Sequence, residues 1–200
     1  MSRMIIGLCG RKHSGKSTAA EAIVRHLEDD ATVISLAGPI KETVESMTGA
    51  CSKQDKEILR PMLQAYGETM KQLYGQEYWV EAATRRWNVM CNHYSSMICD
   101  DIRFPFEAEW IRSLGGFVIG ITSPRSDTSD THTSETSVDD IIPDYQVTND
   151  GSIYEFRGNI LAAVKHYETS IRDERRQSQS GDSQGQDRDV AQAASHSSAA

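Results

Sequence analysis

The sequence has no surplus of positive charge. Its 21 Lys and Arg stand against 29 Asp and Glu, a formal net charge of -8, and a nucleic-acid polymer is therefore a poor main partner, since such proteins carry basic stripes that neutralise phosphates. A small anion held in a local cationic pocket stays compatible. Also missing is any apolar run near the roughly 20 residues that a bilayer-spanning helix needs, and the N-terminus enters an apolar segment without a signal-peptide pattern. The expectation is a soluble, unprocessed protein with no membrane partner. The four cysteines, Cys9, Cys51, Cys91 and Cys99, form no C-x-x-C pair and no zinc-like spacing, which predicts reduced thiols in a cytoplasm. No internal repeat is present.

What is present is concentrated near the start. Gly10-Arg11-Lys12-His13-Ser14-Gly15-Lys16-Ser17 fits G-x-x-x-x-G-K-[ST], the phosphate-cradling P-loop. Glycines at both ends let the backbone turn its N–H groups inward, the lysine reaches the outer phosphates, and the Ser17 hydroxyl can ligate Mg²⁺. The context supports the motif. An apolar run over residues 4–9 precedes it at buried-strand length, and Ala20, Ile23, Val24 and Leu27 follow at helical spacing. Gly10, His13, Ser14, Gly15, Lys16, Ser17 and Thr18 are thus the predicted nucleotide-binding residues, with ATP and Mg²⁺ as the expected cofactors.

A second strand over residues 31–36 completes a strand-helix-strand opening, whose parallel crossover points to an α/β fold with a buried sheet. Gly38-Pro39 ends that strand and starts a helix to about residue 47. Residues 53–90 are helical in pattern, with Gly67 and Gly75 expected as punctuation. A third strand is predicted over 94–99, a helix over 106–114 stopped by Gly115-Gly116, a fourth strand over 117–122, a fifth over 145–148 and a closing helix over 153–167. Between the last two strands, residues 123–140 are dominated by Ser, Thr, Asp and Glu, longer than an ordinary connection and expected to be a lid. From residue 168 the chain lacks large apolar side chains and is predicted to be a disordered tail.

Five strands alternating with helices behind a P-loop predict a three-layer α/β/α P-loop NTPase fold with a parallel five-stranded sheet, a helical insertion at about 38–92 and a lid loop. The guanine-reading N-K-x-D segment of GTPases is absent; Thr148-Asn149-Asp150-Gly151 is nearest and lacks the lysine. A small kinase is the economical reading. Phosphoryl transfer needs converging cations to neutralise spreading charge, and Arg60, Arg103 and Arg125 sit at junctions where such cations are placed. Arg125 is the only Lys or Arg between Arg112 and Arg157. With Lys16 and Arg103 it forms the predicted catalytic set. Asp100 and Asp101 end the third strand, where a carboxylate beside the P-loop can hold Mg²⁺. Neighbours in an extended segment face opposite ways, so only one serves; Asp101 is the candidate, with Asp100 open as the alternative. Lys41, Gln64, Tyr66, Tyr78 and Trp79 lie in the insertion where an acceptor would bind. Trp79 can stack a base, although its helical spacing fits core packing equally.

The chain resembles the bacteriophage deoxynucleoside monophosphate kinases. The similarity runs in order through residues 5–18, 36–42, 60–67 and 78–80, the Asp101-Ile102-Arg103-Phe104-Pro105-Phe106-Glu107 run, and the Asp130-Thr131-His132-Thr133-Ser134-Glu135 run, over residues 1–167. It implies ATP as donor, Mg²⁺, a deoxynucleoside monophosphate as acceptor, often a homodimer, and a host cytoplasm for a phage-encoded chain. It would put Lys41, Arg60, Gln64 and Arg103 near the acceptor, and Arg125 on the lid. One departure stands out: many relatives carry an arginine where this chain has Lys71-Gln72, and Lys71 can replace it only as a point charge. Competing readings are another small-molecule P-loop kinase, of the dephospho-coenzyme A or shikimate type, or a non-catalytic nucleotide-binding module.

Overall fold

The computed structural model describes residues 3–49, 58–126 and 136–173. The chain divides into two units, residues 1–163 and 164–200. In the first unit the elements run β1 (Ile5–Cys9), α1 (Lys16–His26), β2 (Ala31–Ile34), α2 (Gly38–Thr48), α3 (Arg60–Tyr74), α4 (Tyr78–Met90), β3 (Ser96–Ile102), α5 (Pro105–Ser113), β4 (Phe117–Thr122), the 3₁₀ turn η1 (Ser137–Asp140) and β5 (Tyr145–Thr148). Helical residues 153–163, here α6, complete it; in the second unit the described residues 164–173 are helical.

The five strands form one sheet in the order β2-β3-β1-β4-β5, every pair parallel. β1 is buried along its whole length, as a central strand covered on both faces must be. The chain steps one way along the sheet through β1-α1-β2 and the other way through β3-α5-β4. Right-handed crossovers therefore put α1 and α5 on opposite faces, which makes the three layers. Ile6, Leu8, Met97, Ile98, Val118 and Ile119 are fully buried between them. This is the predicted α/β/α fold.

β4 and β5 match their predicted spans, β1 and β2 are shorter than predicted, and β3 is shifted toward its C-terminal end. β3 continues through Asp100, Asp101 and Ile102, so the two aspartates lie within the strand rather than after it. Its register against β1 slips there: Gly7 pairs with Cys99 but Cys9 with Ile102. Two residues of β3 thus oppose one of β1, a bulge of the kind that re-aims side chains beside functional sites. Cys99 and Ile102 share one core cluster although they are three apart, which strict alternation forbids and the extra residue permits.

Gly67 does not punctuate the insertion; it lies in the middle of α3 and is buried. A Cβ there would sit 3.1 Å from Ile40 Cδ1, so the missing side chain sets how closely α3 approaches α2. Gly75 does end α3. Residues 168–173, expected to begin the tail, are helical; the hydroxyls of Thr169 and Ser170 donate back to the carbonyls of Lys165 and His166. The remainder of the predicted tail, the predicted lid between 127 and 135, Cys51 and the 130–135 run lie outside the described residues. Among the described residues no helix is long and apolar enough to cross a membrane.

Candidate active site

The P-loop follows β1 with the expected turn. Gly10 has φ 147°, and a Cβ there would lie 2.3 Å from the Ile121 carbonyl oxygen, so β4 passes too close for any other residue. His13 adopts φ 64°, the left-handed conformation that few non-glycine residues accept, with its side chain exposed. Gly15 caps α1 at φ 114° and no side chain caps the helix; no acidic residue occupies its first turn. The positive end of the helix dipole thus faces the loop without a side-chain cap, a setting that suits an anion. Among the described residues Ser14 Oγ, which is buried, has no hydrogen-bond partner. A phosphate oxygen is the acceptor such a hydroxyl lacks.

Lys16 turns back on this loop, its Nζ donating to the Gly10 carbonyl at 2.6 Å and the Arg11 carbonyl at 2.9 Å. Arg11 in turn pairs through its guanidinium with Asp139 of η1. Ser17 is exposed and Thr18 half-buried at the start of α1.

The two aspartates have separate surroundings. Asp101 is buried, and its carboxylate accepts from the Ser35 hydroxyl at 2.5 Å, the Leu36 amide at 2.7 Å and the Ala37 amide at 3.0 Å. All of these belong to the turn leading from β2 into α2. Asp101, expected as the metal carboxylate, is thus engaged by two backbone amides and a hydroxyl. Asp100 shares a concavity with Ser17 and Glu21 of α1, and among the described residues its buried Oδ1 has no partner. Burial, then the neighbouring Asp101 charge, pushes its carboxyl up to about 6, against the pull of Lys41 and Lys16. An orphaned carboxylate oxygen beside the P-loop serine is an oxygen donor set that fits Mg²⁺, which binds through one or two carboxylates, phosphates and waters. Among the described residues no group of three His, Cys, Asp or Glu gathers as a metal cage.

Arg60 opens α3 and, like Gln64, is half-buried. Trp79 is a packing residue: it is buried, its Nε1 donates to the Gly67 carbonyl at 3.1 Å, and its ring meets Tyr78 edge-on and Tyr66 at a tilt. No face is left to stack on a base. The helical spacing that admitted both roles resolves as the α3–α4 joint.

Arg103 leaves β3, and its backbone is held by a residue that the sequence reading quoted but gave no role. Glu107, in the first turn of α5, accepts from the Arg103 amide at 2.7 Å and the Phe104 amide at 3.1 Å through one oxygen. Lys71 of α3 places its Nζ 4.5 Å from the Phe104 ring centre, and that ring stacks on Phe106. Lys71 is thus the cation that α3 brings to Phe104, the neighbour of Arg103, and it also pairs with Glu68 at 3.7 Å.

Arg125 lies on the other side of the P-loop. Its guanidinium donates to the Asn149 side-chain oxygen at 3.2 Å and, at 3.4 Å, to the Asn149 and Gly151 carbonyls. Asn149 Nδ2 donates to the Ser14 carbonyl at 2.9 Å. Asn149 was missed because its role lies in an amide contact across 135 positions, which no local spacing encodes. Cys9, behind the loop, is buried, and burial pushes its thiol up to about 11, leaving it protonated and inert.

A parallel sheet in this order with a P-loop at the uncapped start of α1 fits a P-loop kinase. The family described as deoxynucleotide monophosphate kinase matches residues 45–160, more than half of the chain, and the chain belongs to that family. A putative deoxynucleotide monophosphate kinase of Acanthamoeba polyphaga mimivirus is 28% identical over 193 residues, covering 80% of this chain and 96% of the relative. The deoxynucleotide monophosphate kinase of Enterobacteria phage T4 is 28% identical over 114 residues, 56% of this chain and 47% of that protein. Among solved structures, shikimate kinase from Aquifex aeolicus aligns at 16% identity and TM-score 0.44, covering 83% of this chain and 99% of the other. An APS kinase from Mycobacterium tuberculosis with AMPPNP and APS aligns at 16% identity and TM-score 0.45, covering 82% and 99%.

Proposed function

We propose that this nucleotide kinase transfers the γ-phosphoryl group of ATP to a deoxynucleoside monophosphate, giving the diphosphate and ADP. The observation that carries the reading is the P-loop itself, with a buried Ser14 hydroxyl at the start of an α1 that no side chain caps, in a chain of the deoxynucleotide monophosphate kinase family.

The acceptor is itself a phosphate with a second pKa of about 6, largely ionised at neutral pH, so no general base is needed. Catalysis then reduces to alignment, charge neutralisation and exclusion of water. The amides of residues 13–18 and the Ser14 hydroxyl bind the donor phosphates; Lys16 leaves the Gly10 and Arg11 carbonyls to follow the transferring group. Lys41, Arg60, Gln64, Arg103 and Lys71 serve the acceptor side, and Arg125 with Asn149 the donor side. Ser17 and Asp100 are the residues that would hold Mg²⁺, which when bound supplies neutralisation of the phosphate charge.

The test is ADP release with ATP and Mg²⁺ against dAMP, dCMP, dGMP, dTMP and the matching ribonucleotides. Turnover with one or more deoxynucleotides is the expected result. Turnover only with dephospho-coenzyme A or shikimate would overturn the acceptor assignment, and turnover with none of these the kinase reading.

A further inference from the structure

We propose that Glu107 is a positioning residue of the acceptor site, its one buried carboxyl oxygen fixing both the backbone that projects Arg103 and the ring on which Lys71 rests. This rests on the acceptor-side reading of Arg103 given above.

Three observations carry it. The first is the clamp: Glu107 Oε2 takes the amides of two consecutive residues, Arg103 and Phe104, at 2.7 and 3.1 Å. Bonding both amides to one atom fixes the peptide between them and hence the direction in which each side chain leaves. The second is reach. Phe104 carries Lys71 Nζ at 4.5 Å over its ring, so a cation from α3 and a cation from the exit of β3 depend on the same carboxyl. Lys71 has only 13% of its side chain exposed, and a buried lysine held over an aromatic face points in one direction rather than sampling solvent.

The third is the cost of the arrangement. A glutamate three residues into a helix commonly reaches back to a preceding amide, and it does so equally well in water. Glu107 does it while 6% exposed. Burial, with a smaller push from the charge of Asp101, raises its carboxyl to about 7 against the two amides and Lys71. An exposed cap would give the helix the same start without that desolvation. What burial adds is a rigid link to α3, and the link passes through cations.

The experiment is steady-state kinetics of E107A, E107Q and K71M, and of E107A combined with K71M, with a deoxynucleotide that the wild type turns over. Thermal unfolding is measured alongside. E107A is expected to raise the acceptor KM on the order of tenfold, about 1.4 kcal/mol, with the ATP KM within about twofold. E107Q keeps an oxygen that can accept both amides and should restore most of the loss. In the K71M background the effect of E107A on acceptor KM should shrink, because part of it acts through Lys71. Equal rises in both KM values, failure of E107Q to rescue, or full additivity with K71M would each overturn the proposal. Should E107A not fold, E107Q and the closer-cut E107D carry the same comparison. A wild type inactive on every deoxynucleotide would instead strike the acceptor reading itself.

Discussion

Asp100 and Asp101 are consecutive in β3 and have divided two tasks between them: Asp101 ties down the turn that starts α2 through three hydrogen bonds, and Asp100 keeps a buried oxygen unbonded beside the P-loop. Substitution should separate them. Asp100→Asn is expected to lower kcat on the order of a hundredfold and to raise the Mg²⁺ concentration for half-maximal rate, without loss of thermal stability. Asp101→Ala leaves two amides and a hydroxyl unpaired and should cost about 2 to 5 kcal/mol in urea unfolding. Reversal of the two phenotypes would return the metal role to Asp101.

Lys16 is the residue on which transfer should depend most directly. Lys16→Ala is expected to reduce kcat on the order of a hundredfold to a thousandfold, while circular dichroism and melting temperature stay near wild type, since its ammonium bonds to carbonyls of its own loop. Near-normal turnover in this variant would sink the kinase reading.

For Trp79 the expected signature is the opposite. Trp79→Phe removes the hydrogen bond to the Gly67 carbonyl and part of the ring that joins α3 to α4, at a cost of about 1 to 3 kcal/mol. KM for the acceptor should change less than threefold, roughly 0.6 kcal/mol. A large KM effect with unchanged stability would mean that the ring meets the substrate.

Glu107 gives a pH dependence of defined sign. Its folded pKa of about 7 stands above the ordinary glutamate value of 4.5, so between those limits the folded protein keeps a proton that the unfolded chain releases. Stability from this group is present below pH 4.5 and is lost as pH rises through 7, by about 3 kcal/mol. The facing groups are Asp101, Lys71 and the amides of Arg103 and Phe104. Asp100 adds a slope of the same sign up to about pH 6. The measurement is therefore the difference in urea stability between wild type and E107Q across pH 5 to 8, with the flatter profile expected for E107Q.

Much of this was legible from order along the chain. The P-loop announced itself because its chemistry is local: glycines, lysine and serine act within eight consecutive residues. β4 and β5 were read to the residue, since turn residues bound short apolar runs. What failed was whatever depends on an element's partner. Asp100 and Asp101 are indistinguishable by type, and only the path of β2 beside β3 decides which one is consumed by backbone amides. Gly67 reads as a helix breaker until Ile40 is seen against it. Trp79 offered two roles at one spacing, and Asn149 offered none, because the atom it holds lies at Ser14.

The inward turn of Lys16 onto the Gly10 and Arg11 carbonyls has a consequence for how nucleotide affinity is to be understood. A phosphate that recruits this ammonium competes with two hydrogen bonds of 2.6 and 2.9 Å already in place. The lysine is thus satisfied by its own loop. On the proposed reading, preference for a polyphosphate over a single phosphate would come from exchange: a ligand offering oxygens to the α1 amides and the lysine at once would repay what the lysine gives up.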